Sequence, residues 1–449
     1  MMAPRYWDET IETMERGDLD ALVDERIRYT VRYAAEHSPF YRKWFAEEQI
    51  DPTAVTCHED LLDLPVISGQ VIREHQPPAA PDFAFRSIGW EKVFTVHETS
   101  GTSGVPKTFF LTWEDWERYA EKYARAFTAQ GIGKGDRLVL CTSYGMNIGA
   151  NTMTLAARDM GVAVIPEGKC TFPVRVIRNY RPTAIVGSVF KFLRLARRLR
   201  AEGIEPQNAG VRSLVIGGEG FAEESRAHLE KVWGCKVYNT YGSTEGTMCG
   251  ECPVKNGLHC PEDLVHVDLY DPALERFVRD REDGRLVLTT LLPPGGKAGT
   301  LLLNYDTEDW SRVVSRSTCA CGRTHLRIEP PWREAETVTV AGCAVNRVDI
   351  ERAVFQPENM AYLTGEYEAF LYGDEDETVL RVSMECEDLA SADQNAVKHQ
   401  FLERLFTDKP TLAEACEEKK CRVLFHFTAP GGLELAAVKG RPKRIVDRR

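Results

Sequence analysis

The middle of the chain contains four short apolar runs: RLVLCT at residues 137–142, VAVI at 162–165, AIV at 184–186 and LVI at 214–216. Each run is followed at once by Ser, Pro or Gly, which is typical of the end of a buried strand. Between the last two runs, residues 191–200 place apolar side chains among arginines with helical periodicity. Strands that alternate with helices predict an α/β domain with a largely parallel sheet. Ligands of such sheets bind where the strands end in loops.

The regions on either side of these runs predict a second domain. The first ninety or so residues look helical and then loop-like, with a break at QPPAAP (76–81), whereas residues 285–292 and 300–304 are strand-like. A chain of 449 residues exceeds the size at which one hydrophobic core stops growing. We place the boundary near Pro330-Pro331. The expected division is a domain of residues 1–332 and a small α+β domain of residues 333–449.

The composition excludes several classes of protein. A hydrophobic share of 43% and a charged share of 28% are typical of a soluble globular protein. The net charge of −12 argues against a nucleic-acid partner. No apolar stretch approaches the ~20 residues that span a bilayer, and residues 1–8 lack a signal-peptide pattern. We therefore expect a cytoplasmic protein with no membrane and no nucleic-acid partner.

Residues 99–107, TSGTSGVPK, predict a phosphate-binding loop. Glycines let the backbone approach a ligand, hydroxyls donate to phosphate oxygens, and the lysine adds a compact positive charge. The spacing is not that of a Walker loop, and on composition alone a flexible surface loop is the alternative. The predicted nucleotide contacts, with Lys107 as a catalytic residue, are Thr99, Ser100, Gly101, Thr102, Ser103 and Gly104.

The segment after this loop predicts a strand and a well-capped helix. Residues 109–111 are strand-like, and Thr112 with Asp115 predicts a capping box that opens a helix. Trp116 and Tyr123 then fall on one face of this helix.

These motifs resemble the AMP-forming adenylating superfamily, which contains acyl-CoA synthetases, luciferases and peptide-synthetase adenylation domains. Within it the chain is similar to the phenylacetate–CoA ligase branch, through the loop at 99–107, SPFYR (38–42) and DLLDLP (60–65). FFLTWEDW (109–116) resembles the synthetases that act on the deazaflavin cofactor of methanogens. The resemblance covers essentially the whole chain. It implies a large N-terminal adenylating domain with parallel sheets flanked by helices, and a small mobile α+β C-terminal domain.

The resemblance assigns adenine and phosphate contacts to two further motifs. GGE (217–219) follows an apolar strand, and Gly218 and Glu219 are expected at the adenine edge. In YGSTE (241–245), a tyrosine face stacks on adenine, a threonine hydroxyl reaches the α-phosphate, and a glutamate holds Mg²⁺. The residues of this second motif are Tyr241, Gly242, Ser243, Thr244 and Glu245.

NYDTED (304–309) resembles the Tyr-Arg-Thr-Gly-Asp motif whose aspartate binds both ribose hydroxyls. Asp309 fits that role because a carboxylate accepts two hydrogen bonds at once. Asp306 stands in place of Arg and Glu308 in place of Gly. Arg333 matches an arginine of the superfamily that also touches ribose.

The end of the chain departs from the superfamily. The hinge aspartate position falls on Ala335, and the following Arg-Gly is Ala341-Gly342. GRPKRIVD (440–447) is similar to the Gly-Lys-x-x-Arg-Val pattern of the catalytic lysine, but Arg441 stands at the lysine position, with Lys443 beside it. Because these departures spare the nucleotide motifs, adenylation is favoured over the CoA step.

A cluster of cysteine and histidine residues predicts a structural Zn²⁺ site. Cys252 and His259 are followed about sixty residues later by Cys319 and Cys321. Three thiolates and an imidazole suit tetrahedral zinc and leave no open position for chemistry. Cys249 and Cys260 are competing ligands, and core cysteines without metal are the alternative.

The resemblance places the acid between residues 144–147, 187–190 and 217–219. Tyr144, Met146 and Phe190 are expected to form an apolar wall, with Asn147 and Ser188 beside it. Core packing is the rival explanation for each of these side chains.

The predicted function is the ATP- and Mg²⁺-dependent adenylation of a small aromatic acid, followed by transfer of the acyl group to CoA. The resemblance also suggests that the enzyme is a homodimer. Two alternatives stay open. A relative of the same branch would use an amine acceptor or adenylylate a phenolic or deazaflavin hydroxyl. An inactive nucleotide-binding protein would explain the substitutions at Ala335, Ala341 and Arg441.

Overall fold

The computed structural model describes residues 5–99, 104–168, 173–373, 378–434, 437–438, 441–442 and 444–449. The chain divides into two units. The first unit comprises Met1–Gly187, Val211–Gly218 and Tyr238–Trp332. The second unit comprises Ser188–Gly210, Glu219–Val237 and Arg333–Arg449. The division of the sequence into domains of residues 1–332 and 333–449 stays a prediction.

The helices of the described residues are α1 (Glu9–Glu12), α2 (Arg16–His37), α3 (Pro39–Glu47), α4 (His58–Leu62), α5 (Gly69–Glu74), α6 (Trp113–Ala129), α7 (Gly149–Met160), α8 (Pro173–Tyr180), α9 (Val189–Ala201), α10 (Glu223–Trp233), α11 (Arg347–Val354), α12 (Gln394–Asp408) and α13 (Pro410–Glu417). Short 3-10 turns lie at Trp90–Lys92, Pro206–Asn208, Glu334–Glu336 and Asn359–Ala361. None of the helices in the described ranges is long and apolar enough to span a lipid bilayer.

The strands of the same residues are β1 (Thr95–Glu98), β2 (Thr108–Leu111), β3 (Arg137–Leu140), β4 (Ala163–Ile165), β5 (Ala184–Gly187), β6 (Ser213–Gly217), β7 (Lys236–Gly242), β8 (Met248–Gly250), β9 (Leu258–His259), β10 (Val265–Asp271), β11 (Arg276–Phe277), β12 (Asp283–Thr290), β13 (Tyr305–Ser315), β14 (Arg327–Ile328), β15 (Trp332–Arg333), β16 (Thr337–Val340), β17 (Cys343–Asn346), β18 (Leu363–Gly373), β19 (Thr378–Cys386), β20 (Cys421–Thr428), β21 (Ala437–Val438), β22 (Arg441–Pro442) and β23 (Ile445–Asp447).

A large mixed sheet is the framework of the first unit. Its strand order is β11-β10-β12-β13-β14-β9-β8-β7-β6-β5-β3-β4, and β15 pairs with β13. The four apolar runs of the sequence are β3, β4, β5 and β6, and each of these strands pairs in parallel with its neighbours in that group. The other end of the sheet, from β10 to β13, is antiparallel. The predicted α/β class is confirmed.

The sheet and the N-terminal helices bury separate apolar clusters in the first unit. Helices α6 and α7 cover β3, β5 and β6, where Leu138 and Val215 are fully buried. Helices α2 and α3 pack with the segment that leads into β13, and Ile27 and Tyr41 are fully buried there. The parallel strands are therefore held by the packing of α6 and α7, while the N-terminal helices are held by the segment before β13.

Residues 300–304, which the sequence predicts as a strand, do not form one. The backbone groups of this segment bond to several separate parts of the first unit. The Leu303 N–H donates to the Tyr41 hydroxyl (2.8 Å), and the Ile67 N–H donates to the Asn304 carbonyl (2.8 Å). The segment is extended and buried, but no single neighbouring strand pairs with it along its length.

The second unit is built on a sheet of order β20-β19-β18-β23. Strands β18 and β19 are antiparallel, whereas β20 and β23 join them in parallel. Helix α9 lies against β18, and Arg194 forms an ion pair with Glu366 (2.9 Å between Nη2 and Oε2). Arg197, one turn later, pairs with Glu385 of β19.

We predict that the capping box of α6 stabilises the first unit. The Asp115 N–H donates to Thr112 Oγ1 (3.0 Å), and the Thr112 N–H donates to the Asp115 carboxylate (2.8 Å), which confirms the predicted cap. Thr112→Val removes the acceptor at nearly constant volume and is expected to lower the free energy of unfolding by about 1 kcal/mol. Urea denaturation followed by circular dichroism measures the change. Thr112→Ser is the control, and equal midpoints for Val and Ser would show that the cap adds nothing.

Candidate functional site

The predicted phosphate loop is the connection of the β1–β2 hairpin in the first unit. The hairpin is antiparallel, with Glu98 opposite Thr108. At its base the Thr99 N–H donates to the Lys107 carbonyl (3.0 Å), and the Lys107 N–H donates to Thr99 Oγ1 (3.0 Å). Gly104 has φ 145°, a backbone conformation that favours glycine. The remaining loop residues lie outside the described part of the chain: Ser100, Gly101, Thr102 and Ser103.

Lys107 connects this loop to the motif at 241–245. Its Nζ lies 2.8 Å from Glu245 Oε1, and each side chain is only 10% exposed. The ammonium also donates to the Tyr305 hydroxyl. Burial, together with the nearby Glu245 carboxylate, raises the pKa of Tyr305 well above its usual value, so the phenol stays neutral. The loop, β13 and the turn after β7 thus meet at one buried ion pair.

Tyr305 is a candidate functional residue that the sequence analysis did not assign. It stands next to Asn304 at the head of the NYDTED motif, and this position was the only sequence signal for it. Gly69, the first residue of α5, leaves room for the contact, because a Cβ there would lie 3.2 Å from the Tyr305 hydroxyl and 3.3 Å from Lys107 Nζ.

The motif at 241–245 ends β7 and forms a tight turn. The Ser243 N–H donates to the Thr247 carbonyl (3.1 Å), and Gly246 has φ 115°. The Thr244 carbonyl accepts from the Tyr119 hydroxyl of α6 (3.1 Å), and the Thr244 side chain is buried. Ser243 Oγ is buried and has no hydrogen-bond partner among the described residues, so it has a free donor for a ligand.

The residues predicted to hold adenine and ribose lie in direct contact. The Tyr241 hydroxyl donates to Asp309 Oδ2 at 2.5 Å, and Asp309 is buried. The Asp309 N–H in turn donates to Thr307 Oγ1 (3.1 Å). This arrangement fixes the orientation of the Asp309 carboxylate. Gly242, the next residue after Tyr241, is the last residue of β7.

The two departures in the NYDTED motif have local explanations. Glu308 adopts φ 64°, a left-handed conformation, and the superfamily has glycine at this position. Asp306 Oδ1 accepts from the Glu308 N–H (2.8 Å), and Asp306 Oδ2 pairs with Arg285 Nη1 (3.1 Å). The substituted carboxylate therefore stabilises the strained turn and is itself neutralised by an arginine from β12.

The GGE motif is divided between the two units. In the first unit, a Cβ at Gly217 would lie 2.8 Å from Thr240 Oγ1, and Gly218 has φ 77°. In the second unit, the Glu219 carboxylate accepts from the Val189 N–H (2.8 Å) and pairs with Arg347 (3.1 Å). The Glu219 side chain is thus engaged at the start of α9, and its predicted contact with adenine stays a prediction.

The residues predicted for the acid side have defined local contacts. In the first unit, the Tyr144 hydroxyl lies 2.8 Å from Thr154 Oγ1, and Asn147 Oδ1 accepts from the Gly149 N–H (2.8 Å). Met146 is 48% exposed. In the second unit, Ser188 and Phe190 occupy the cap and first turn of α9, and the Phe190 ring packs under the Arg444 guanidinium at 3.4 Å. A single acid-binding wall stays a prediction.

The residues predicted from the C-terminal part lie in short strands. Arg333 ends β15 and is exposed. Arg441 begins β22, opposite Val438 of β21. Lys443 lies outside the described residues. The catalytic roles assigned to Arg441 and Lys443 stay predictions.

The structure brings the four predicted zinc ligands together in the first unit. The metal-binding atoms of Cys252, His259, Cys319 and Cys321 all lie within 4.8 Å of one another. Cys252 Sγ is 3.8 Å from Cys319 Sγ, and Cys321 Sγ is 3.6 Å from His259 Nε2. The hydrogen bond from the Cys252 thiol lowers the pKa of the Cys321 thiol below its usual value, and His259 acts in the same direction.

The local backbone suits a metal site. The Gly322 N–H donates to the Cys319 carbonyl (2.7 Å), and Gly322 has φ 94°, so residues 319–322 form a tight turn that aims both thiols inward. His259 Nδ1 is buried without a partner among the described residues. Cys249 and Cys260, the competing candidates, lie 3.2 Å from each other and are not part of the four-residue set. The donor set fits Zn²⁺.

Comparison with known proteins agrees with the family resemblance that the sequence motifs indicate. The family described as AMP-binding enzyme matches residues 23–304. The phenylacetate-coenzyme A ligase of Thermus thermophilus is 28% identical over 452 residues, which covers 98% of this chain and 98% of the relative. The ligase of the same name from Pseudomonas putida is 28% identical over 411 residues, which covers 88% of this chain and 90% of the relative.

Solved structures show the same fold. The structure of 2-hydroxyisobutyryl-CoA ligase in the postadenylation state with 2-HIB-AMP superposes with a TM-score of 0.84 at 24% identity, covering 99% of this chain and 93% of that one. The anthranilate CoA ligase AuaEII with anthranoyl-AMP gives a TM-score of 0.56 at 16% identity, covering 82% of this chain and 68% of that one.

We predict that Lys122, beneath the turn at 243–247, makes stability depend on pH. Its ammonium donates to the Gly246 carbonyl, and burial, followed by the charge of Arg118, lowers its pKa from 10.5 to about 7. Between these two values the unfolded chain binds more protons than the folded one, so the free energy of unfolding rises with pH, by at most about 1.4 kcal/mol per pH unit from this group.

Lys122→Met removes this contribution and is expected to flatten the rise between about pH 7 and about pH 9, measured by urea denaturation. Lys43→Met, at an exposed lysine, is the control and keeps the rise of the wild type. An unchanged slope in Lys122→Met would contradict the assignment.

Proposed function

Because the chain belongs to the family of AMP-binding enzymes, we propose that it activates a small aromatic carboxylic acid with ATP and transfers the acyl group to coenzyme A. The observation that carries the proposal is the buried Lys107–Glu245 ion pair beside the Tyr241–Asp309 contact. The first pair is suited to phosphates and a cation, and the second to a nucleoside. Similarity to phenylacetate-coenzyme A ligases over 98% of the chain supports the acid and the acceptor.

In the first step, a carboxylate oxygen of the acid forms a bond to the α-phosphorus of ATP as the bond to pyrophosphate breaks. Negative charge accumulates on the phosphate oxygens, and Lys107 neutralises it. The hydroxyl of Thr244 and the loop residues Thr99 and Gly104 orient the phosphates. Glu245 would hold Mg²⁺, which supplies charge stabilisation when bound.

The ion pair explains how two opposite charges stay buried before the substrate binds. An unpaired Lys107 ammonium or Glu245 carboxylate in this position would carry a large desolvation penalty. On binding of the nucleotide, Lys107 would turn from Glu245 to the phosphates, and Glu245 would then be available to hold Mg²⁺. The pair therefore holds both groups in place for the nucleotide without a net buried charge.

The nucleoside is held by the Tyr241 ring, by Asp309 on the ribose, and by the backbone of Gly218 and Glu219 at the adenine edge. Arg333 adds a ribose contact. The residues proposed for the acid are those that the sequence motifs indicate: Tyr144, Met146, Asn147, Ser188 and Phe190. In the second step the CoA thiol loses its proton and attacks the acyl carbonyl carbon, and AMP leaves as the bond from that carbon to the phosphate oxygen breaks. Arg441 and Lys443 stabilise negative charge that develops on the phosphate.

The cysteine cluster holds structural Zn²⁺ in this proposal. Cys252 and His259 come from the β8–β9 region, whereas Cys319 and Cys321 come from the loop between β13 and β14. A bound zinc would join these segments next to β13, the strand that carries Asp309. Four protein ligands leave no coordination position for a substrate.

The test of the function is the exchange of pyrophosphate into ATP with a panel of aryl and arylacetic acids, with and without CoA. Acid-dependent exchange together with a CoA thioester is expected. Exchange without thioester would move the acceptor to an amine or a hydroxyl. Binding of ATP with no exchange for any acid or phenol would overturn the proposal in favour of a nucleotide-binding protein without catalysis.

We predict that the Lys107–Glu245 pair is required for this exchange. Lys107→Met removes charge stabilisation in the transition state and is expected to lower the exchange rate at least about a hundredfold. Glu245→Gln is expected to weaken the dependence on Mg²⁺ and to lower the rate by a similar factor. Lys43→Met is the control and keeps the wild-type rate. Wild-type exchange in Lys107→Met would remove the lysine from the mechanism.

We predict that the cysteine cluster binds one zinc ion per chain. Cys319→Ser removes one ligand and is expected to lose one zinc equivalent relative to the wild type, with a lower melting temperature. Metal analysis by mass spectrometry and a thermal melt measure both changes. Cys416→Ser, at a cysteine outside the cluster, keeps the metal. Equal zinc content in Cys319→Ser and the wild type would contradict the assignment.

A further inference from the structure

A second group of metal-binding side chains lies in the first unit, apart from the cysteine cluster. Strand β10 carries His266 and Asp268, two positions apart and therefore on the same face of the sheet. His58 is the first residue of α4. The ligand atoms of these three residues lie within 4.8 Å of one another. The three residues converge although His58 is separated from the other two by more than two hundred residues.

The Asp268 carboxylate lies between the two imidazole rings. Its Oδ1 is 3.0 Å from His58 Nε2, and its Oδ2 is 3.1 Å from His266 Nε2. The ring centroids of His58 and His266 are 4.4 Å apart. In a tetrahedral site with metal–ligand bonds of about 2.0–2.1 Å, neighbouring ligand atoms are about 3.3 Å apart. The observed separations are close to that value.

The ring of His266 points to a missing ligand. Its side chain is only 7% exposed, and its Nε2 faces Asp268 Oδ2 at 3.1 Å. Its Nδ1 is buried without a hydrogen-bond partner within the described ranges, which carries a desolvation penalty. Nε2 and the carboxylate are placed to share a cation.

We propose that His58, His266 and Asp268 bind a divalent transition-metal ion of the Zn²⁺ class. Two imidazoles and one carboxylate favour zinc, cobalt or nickel over Mg²⁺ and Ca²⁺, which prefer all-oxygen sites. With neutral imidazoles, the single negative charge of Asp268 leaves a net charge of one at the bound ion. The positive charge of Arg316 acts on His58, and the Asp280 carboxylate balances that charge at 3.1 Å from Arg316 Nε.

The position of the site indicates what the ion would do. His58 contacts the sheet through this cluster, and its own N–H donates to Asp24 Oδ1 of helix α2 (2.9 Å). A bound metal would therefore cross-link α4 to β10. Three protein ligands leave at least one coordination position for water or another small ligand, unlike the closed set of the cysteine cluster.

The experiment measures metal binding by the full-length chain. Cobalt(II) is titrated into protein with intact His58 and Asp268 and into the variants His58→Gln, Asp268→Asn and the control His426→Gln, at an exposed histidine of β20. All four carry Cys319→Ser, so that the cysteine cluster contributes equally. The absorption bands of cobalt report coordination, and mass spectrometry after desalting counts the ion. Circular dichroism confirms that each variant is folded.

The protein with intact His58 and Asp268 and the His426→Gln control are expected to bind one more ion than His58→Gln and Asp268→Asn, or to bind it at least about tenfold more tightly. His58 is partly exposed, so its variant tests the site even where Asp268→Asn is unfolded. The proposal would be overturned if His58→Gln bound cobalt with the same stoichiometry and affinity as the His426→Gln control. It would also be overturned if the control itself lost the additional ion.

Discussion

The buried contact between Lys107 and Glu245 is the constraint on which the candidate site depends. The two opposite charges, each about one-tenth exposed, come from separate parts of the chain. Lys107 lies in the connection of the β1–β2 hairpin, and Glu245 lies in the turn after β7. Tyr305 joins them from the start of β13. Because a buried charge without its partner is strongly destabilising, the folding of the first unit requires that these three segments meet. Ser243 stands two residues before Glu245 and Asp309 four residues after Tyr305, so both lie in segments that carry members of this contact.

The local parts of this arrangement could be predicted from the sequence. Apolar runs of three to six residues predicted the parallel strands, because such strands are buried on both faces. Thr112 and Asp115 predicted the start of α6, since both halves of a capping box lie within one turn. Cys319 and Cys321 were predicted as a pair of metal ligands, since they stand only two positions apart. In each case the stabilising contacts join residues that are close in the sequence.

The parts that could not be predicted depend on distant contacts. Residues 300–304 are apolar and extended but bond to several segments, so their strand-like pattern was misleading. Glu219 carries a carboxylate suited to a ligand, yet its partners are the start of α9 and Arg347 of α11. The cluster of His58, His266 and Asp268 could not be foreseen either. A histidine at the start of a short helix gives no signal until α4 is placed against β10.

The substitutions in the NYDTED motif show how a site tolerates changed residues when its charges stay balanced. Glu308 takes a left-handed conformation that costs an ordinary side chain about 1–2 kcal/mol. The Asp306 carboxylate offsets part of that cost by accepting the Glu308 N–H, and Arg285 supplies the positive charge that the motif has lost at position 306. The result is that Asp309 keeps its buried position and its contact with Tyr241. An acidic residue in place of arginine is therefore compatible with the Tyr241–Asp309 contact, because Arg285 of the neighbouring strand balances its charge and the aspartate stabilises the turn.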